Sequence, residues 1–447
     1  MKITALYAIF IFEKPHGGFI FLSEVVSMNN KLKIGVMGAR RGETMMRVLE
    51  KHPEAELVAI CDNFEPALER VHKFCKEFGR DIKIYTDFDE FIKSDLDAVV
   101  LANFANEHAP FAVKALRSGK HVLSEVLPCQ NPAEAVELIE AVEETGLVYA
   151  YAENYCYMSD TFEMWRRYKK GDIGELHYAQ CDYIHDCSAD WISLTYGDTD
   201  HWRNHLCATF YCTHSLGPVL MMAGLRPVQV TGYETPPMEP FVKVGSAHGH
   251  TNGIEMVVLE NGAVVESVHG GLKRPKNNYY SLYGSLGYLG NLANDDVMCY
   301  FEDGTLETAG DRGTKEVYTP EAFVSAELRK SIDMESHGGS DFYATHFFIQ
   351  KILGKPDGEW AIDVYRAVEM GLCGILAHRS LLNGNIPIKI PNLRNKDERD
   401  AYRNDRACTD KKAAGDSVLP VSRYPSHIYT DEEKAELKRL WEECADD

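Results

Sequence analysis

Between Lys31 and Asn154 the chain repeats one pattern: a short, mostly apolar run followed by a helix-length amphipathic stretch. The runs are Ile34–Met37, Glu56–Asp62, Leu96–Asn103, His121–Glu125 and Leu147–Asn154, with helical spacing at 65–79, 109–118 and 132–145 between them. Apolar strands alternating with helices specify a mostly parallel sheet covered on both faces. The first turn, within KLKIGVMGARRGETMM, leads from strand through glycines into helix, as a dinucleotide-binding unit requires. Gly38 would serve the tight turn and Gly42 the close helix-to-strand approach. Arg40, however, stands where the backbone usually meets pyrophosphate with no side chain in the way. The second run ends in Asp62, 24 residues after Gly38, near the spacing at which a carboxylate accepts hydrogen bonds from an adenosine ribose. Asn63 follows, not a basic residue that could pair with a 2′-phosphate, so NAD is expected over NADP.

The pattern changes after residue 155. Glu175–Asp186 alternates like a strand with one exposed face, and further strand-like runs lie at 228–234, 253–271, 278–291 and 296–308. ENG and EDG supply hairpin turns. Helices are expected at THSLGPVLMMAG, 340–353 and 362–380. The fold class is therefore α/β plus α+β: an N-terminal Rossmann domain (31–155) and a second domain (156–390) built on an open, largely antiparallel sheet. The closing helices of the second domain are expected to pack back on the first. An N-terminal extension (1–30) and a charged C-terminal segment (391–447) flank them. The terminal DEEKAELKRLWEEC helix would seat Leu437, Leu440 and Trp441 on the body or on a partner.

A net charge of -21 offers no basic excess for nucleic acid or an anionic membrane surface. The 12 cysteines are scattered without a CxxC pair, which reads as reduced thiols and a cytoplasmic setting. The apolar stretch near the N-terminus is too short to span a bilayer and is followed by no clear small-residue cleavage site. We read residues 1–27 as an appendage or an upstream start, with the first domain beginning near Met28. HWRNH is not HExxH, and no compact ligand spacing occurs, so no metal site is expected.

Several separated motifs then carry a resemblance. Asn106–His108 is similar to the NxxH region of the Gfo/Idh/MocA (glucose-fructose oxidoreductase and inositol dehydrogenase) superfamily, and GKHVLSE at 119–125 to the opening of its glutamate-lysine-proline motif. AENYCY (152–157), YIHD (183–186), HWRNH (201–205), YCTHSLGPV (211–219), SHGGSDF (336–342) and DVYRAVEM (363–370) resemble its branch of NAD-dependent glycosidases, represented by alpha-N-acetylgalactosaminidase. The lysine position of the glutamate-lysine-proline motif is Val126, which carries no proton and donates no hydrogen bond, and Leu127 displaces the proline. A lysine-assisted sugar dehydrogenase is thereby disfavoured.

The resemblance implies NAD as cofactor, held by Gly38, Arg40, Arg41, Gly42, Asp62, Asn103, Asn106, His108 and Glu125. It implies that His214 and Tyr211 assist oxidation at sugar C3, that Tyr183 removes the C2 proton, and that His185 assists the C1 leaving group or water. Glu153 would bind sugar hydroxyls or tune the base, with Tyr157, Arg203 and His337 as further substrate contacts. Tyr183 and His185 alternate onto one strand face. His214, read from local sequence alone, is equally a cap or packing residue at a helix start or tight turn marked by Gly217 and Pro218, and Glu153 equally a helix cap. The expected activity is glycoside hydrolysis by transient oxidation. A conventional sugar or cyclitol dehydrogenase and a catalytically degenerate sugar-binding or oligomer-organising protein stand as alternatives, and the carbohydrate-binding chain is expected to form a homo-oligomer.

Overall fold

The computed structural model describes residues 8–13, 19–24, 31–301, 313–321, 323–325, 328–332 and 337–445. Strands β1 (Ala8–Glu13) and β2 (Phe19–Glu24) pair antiparallel with each other as a separate two-stranded sheet.

A six-stranded parallel sheet follows: β3 (Leu32–Met37), β4 (Ala55–Cys61), β5 (Lys83–Tyr85), β6 (Ala98–Leu101), β7 (His121–Ser124) and β8 (Tyr149–Tyr151), in the order β5-β4-β3-β6-β7-β8. Every residue of β6 is buried, as a strand covered on both faces must be. Five of the six strands carry an apolar run visible in sequence. The exception, β5, is a three-residue edge strand with an exposed lysine, too short and too polar to show periodicity. Helices Glu65–Phe78, His108–Arg117 and Pro132–Thr145 fill the crossovers. The strand order reverses between β3 and β6, so the turns after Met37 and Leu101 open side by side, the crevice where such sheets bind ligands.

The second sheet has nine strands: β9 (Leu176–Ile184), β10 (Pro227–Glu234), β11 (Gly253–Leu259), β12 (Val264–Gly270), β13 (Asn278–Gly284), β14 (Gly287–Asn291), β15 (Val297–Phe301), β16 (Thr314–Tyr318) and β17 (Ile388–Lys389). Their order is β16-β15-β14-β13-β9-β12-β11-β10-β17, and every neighbouring pair is antiparallel except β9 with β12. ENG turns between β11 and β12, with Gly262 at φ +89°; EDG lies outside the described residues. The run 278–291 is two strands, β13 and β14, joined around Ser285 and Leu286.

Helix Thr213–Ala223 packs on the second sheet, Ser340–Ile352 on the first domain, and Val364–Leu382 against strands of both sheets. In the second of these, His346 meets His52 of the first domain at 3.0 Å. The first helix begins at Thr213, so Gly217 and Pro218 lie inside it and mark neither its start nor a turn. Proline has no N–H to give the carbonyl four residues back; that carbonyl belongs to His214, and the Tyr280 hydroxyl donates to it at 2.6 Å instead.

Past residue 390 the chain straps both domains. Arg399 and Arg403 form bidentate pairs with Glu143 and Glu140 on helix Pro132–Thr145. Helix Asp431–Ala445 packs on the body through buried Leu437, which lies against Gly197, and through Trp441, whose ring meets Tyr196. All 12 cysteines are free thiols, most of them buried. No helix among the described residues is long and apolar enough to cross a membrane.

Candidate active site

Two sets of residues meet between the sheets. On the first-domain side, Gly38 follows β3 with φ +89°, and a Cβ there would stand 2.3 Å from the Ala102 carbonyl oxygen. Conformation and space both demand glycine. At Gly42 a Cβ would stand 2.5 Å from a Val36 methyl, the close helix-to-strand approach expected of it. Asp62 Oδ2 accepts from the Ala39 amide at 2.7 Å and Oδ1 from the Phe64 amide at 2.9 Å. The carboxylate thus sits at the positive start of helix Ala39–Lys51.

Whether this edge suits a dinucleotide can be judged from its unmatched polar atoms. Both amide atoms of Asn103 are buried without a hydrogen-bond partner, as are His201 Nε2 and Trp202 Nε1, whose rings flank the neighbouring Phe104. Buried polar groups are rarely left unpaired in native structures. A ligand bearing hydroxyls and a carboxamide, laid along the glycine turn, would satisfy them, so the residues present fit NAD.

Other members of the expected cofactor set are placed differently. Arg40 reaches into the second domain, donating to the Ser193 carbonyl and hydroxyl at 2.9 and 3.0 Å and lying over the Tyr196 ring. It therefore leaves the backbone at the turn uncovered, which answers the missing middle glycine. Half-buried Arg41 and buried Glu125 belong to an ion cluster: Arg41 Nη2 lies 2.6 Å from Glu125 and 2.7 Å from Asp341. Burial opposes its charge, but the two carboxylates raise the Arg41 pKa further. Burial likewise pushes Glu125 up, while Arg41 and His337 overcome burial at Asp341 and hold that carboxyl well below its ordinary range. Asn106 donates to Asp410 of the C-terminal segment at 3.0 Å. His108 is enclosed, its ring nitrogens facing the carbonyls of Leu127 and Asn103, and burial lowers its pKa to about 4. It is a neutral brace for Asn103 and the EVLP turn, and makes no open cofactor contact.

On the second-domain side, Glu153 ends the strand region of β8 and caps the turn Asn154–Tyr157 by accepting from the Tyr155 amide. The same carboxylate oxygen, Oε1, accepts from His214 Nδ1 at 2.6 Å, and both side chains are buried. Glu153 is thus both a cap and an imidazole partner, and its Oε2 has no partner. Three tyrosine rings surround His214: Tyr155 at 4.6 Å, Tyr183 at 4.8 Å and Tyr211 at 5.2 Å between centroids. The Tyr183 hydroxyl lies 2.8 Å from His185 Nδ1. Burial pushes the Tyr183 and Tyr211 phenols up, and at Tyr211 the hydrogen-bonded Arg203 guanidinium opposes that rise. Burial also lowers His185.

The remaining expected substrate contacts divide. Arg203 stacks on Trp202 and reaches Tyr211, within the site. His337 bonds Asp341 at 2.9 Å and thereby joins the Arg41 cluster. Tyr157 is 1% exposed and donates to the Trp360 carbonyl at 2.8 Å; it packs an aromatic core and cannot touch a substrate. Two participants escaped the sequence reading. Tyr155 lies two residues beyond Glu153 in AENYCY and packs on His214, and Asp341 lies in SHGGSDF and pairs with Arg41. Among the described residues no group of His, Cys, Asp or Glu could hold a metal ion.

Comparison with known proteins agrees with this fold. Residues 32–153 match the model of the GFO_IDH_MocA oxidoreductase family, NAD-binding Rossmann fold. A glycosyl hydrolase family 109 protein of Shewanella sp. (strain ANA-3) is 30% identical over 206 residues, 44% of this chain and 45% of that protein. The match thus spans about half the length of that relative. The alpha-N-acetylgalactosaminidase of Tannerella forsythia is 26% identical, covering 76% of this chain and 81% of that protein. Among solved structures, a levoglucosan dehydrogenase in complex with NADH and levoglucosan superposes with a TM-score of 0.65 at 18% identity, over 81% of this chain and all of that one, which shows the shared fold. Residues 32–153 thus carry the match to the Gfo/Idh/MocA oxidoreductase family, and the curated proteins of similar sequence include a glycosyl hydrolase family 109 protein and an alpha-N-acetylgalactosaminidase.

Proposed function

We propose that the chain is an NAD-dependent glycoside hydrolase, acting by transient oxidation at sugar C3, elimination across C1–C2, addition of water and re-reduction. The observation that carries this reading is the meeting of two proton-handling pairs, Glu153–His214 and Tyr183–His185, in a site that has Val126 where a dehydrogenase would hold its lysine. NAD bound along the glycine turn would supply reversible hydride removal at C3, which makes the C2 hydrogen acidic without net oxidation.

The side chains divide the proton work. His214, its Nδ1–H donated to Glu153, presents Nε2 to take the C3 hydroxyl proton, and the buried carboxylate stabilises the resulting imidazolium. Tyr183 is a poor base alone, because burial keeps its phenol protonated. As its own proton passes to His185 Nδ1, its oxygen can accept the C2 proton, and His185 Nε2–H is then available to the departing C1 oxygen. One proton thus moves from C2 to the leaving group in a single relay. Arg203 and Tyr211 would fix the sugar, supplying orientation.

Alpha and beta aryl glycosides offered to purified protein should release their aglycone with no steady accumulation of NADH. Rapid stoichiometric NADH formation from free sugars or cyclitols, with a stable keto product and no glycoside cleavage, would instead establish a dehydrogenase. Sugar binding with neither outcome would establish a binding protein.

A further inference from the structure

A second carboxylate–imidazole pair lies buried on the same sheet face as Tyr183. His269 on β12 is the register partner of Tyr183 on β9, and Gly253 on β11 is the register partner of His269 on its other side. Paired residues project to the same face of a sheet, so His269 and Tyr183 share one face on adjacent strands. Gly253 makes room for it: a Cβ there would stand 2.8 Å from His269 Nε2. That nitrogen lies 2.8 Å from Glu255 Oε1, and neither residue is more than 2% exposed.

The other carboxylate oxygen leads elsewhere. Ser267 Oγ donates to Glu255 Oε2 at 2.8 Å, which leaves its lone pairs to accept from Ser215 Oγ, 2.8 Å away; the single Ser215 proton has the Cys212 carbonyl at 2.9 Å as its other acceptor. Ser215 follows His214 in the helix Thr213–Ala223. With Ser215 donating to Ser267, a hydrogen-bonded row runs from His269 through Glu255 to the first turn of the helix that carries His214. Polar atoms in this layer do not come from a need for stability, since apolar residues of similar volume fill a core at least as well as a buried ion pair. Such pairs do fix geometry when every member is satisfied.

We propose that Glu255 and His269 are positioning residues of the active site, a fixed pair on the sheet face of Tyr183 that orients His214 through Ser267 and Ser215. The catalytic consequence rests on the proposed hydrolase function; the orientation of His214 does not. A glutamine at 255 keeps the size but turns one acceptor into a donor, so one end of the row must reverse.

The test uses the full chain with NAD added and has two arms. In the first, 15N-histidine spectra are compared for wild type, Glu255→Gln and Ser215→Ala. Both variants should shift the His214 ring-nitrogen resonances while leaving those of the distant His52 unchanged. In the second, kinetics on whichever aryl glycoside the wild type cleaves should show kcat reduced about 10- to 100-fold in Glu255→Gln with KM within about twofold, and Glu255→Asp should recover part of the loss. His214 resonances unmoved in both folded variants would overturn the proposal, as would a Glu255→Gln enzyme with unchanged kcat. If the wild type cleaves no glycoside, the hydrolase reading fails, and the spectra still decide the positioning role.

Discussion

The cofactor side and the proposed sugar side of this site are built by different means. On the cofactor side, Gly38, Gly42 and Asp62 lie within one strand-turn-helix-strand unit, and their roles follow from backbone conformation: a positive φ, a missing Cβ, a carboxylate at a helix start. On the sugar side, Glu153 and His214 are 61 residues apart, and Tyr183 and His185 come from β9 of another sheet. There the geometry exists only after both domains have closed. Function on one side is therefore encoded locally, and on the other it is a product of packing.

The largest effect should come from the packed side. His214→Ala is expected to lower aglycone release about 10²- to 10⁴-fold, with far-ultraviolet circular dichroism unchanged; parallel loss of secondary structure would assign His214 a packing role. Tyr183→Phe should fall in the same range while retaining the initial reduction of bound NAD, because proton removal at C3 precedes elimination at C2.

Gly38→Ala probes the local side. The clash with Ala102 and the positive φ should destabilise the protein by about 2–4 kcal/mol, measurable by urea unfolding; wild-type stability would show that the turn can relax. The next effect down is one of pH. His108 titrates at about 4 and His52 at about 3 in the folded state, both lowered chiefly by burial, against an unfolded value of 6.5. Below pH 6.5 the unfolded chain binds protons that the native protein refuses, so stability is full above that pH and lost as pH falls toward 4. For fully enclosed His108 the loss approaches about 3 kcal/mol. A thermal midpoint that stays flat from pH 7 to pH 4 would contradict the neutral-brace role.

Asp62→Ala should weaken NAD binding by about 1.5–3 kcal/mol in calorimetry and cost about 1 kcal/mol of stability through the lost contact to Ala39. Preserved NAD affinity in that variant, or a wild-type preference for NADP, would remove the ribose contact from the account.

The same contrast explains what the sequence discloses. Strand and helix alternation announces the parallel sheet because burial on both faces leaves continuous apolar runs; β5 has none and is invisible. Gly38, Gly42 and Asp62 are legible by spacing. The partners of Arg40, Arg41, Asn106 and Tyr157 are not legible for a common reason: position near a motif says nothing about which distant group takes the side chain. Ser193, Asp341, Asp410 and the Trp360 carbonyl are those partners, each more than 150 residues away. Pro218, a breaker by local rules, is accommodated because Tyr280 from β13 satisfies the carbonyl it frees. Glu255 and His269 lack any motif and emerge only from strand register.

The central claim is that Tyr183 and His185 remove the hydrogen at sugar C2 after oxidation at C3. Cleavage of an aryl glycoside in heavy water, followed by mass and proton resonance analysis of the released sugar, tests it most directly. The account predicts deuterium at C2, with no net consumption of NAD. Complete retention of the original C2 hydrogen during efficient cleavage would contradict it, and would leave a glycosidase working by another mechanism.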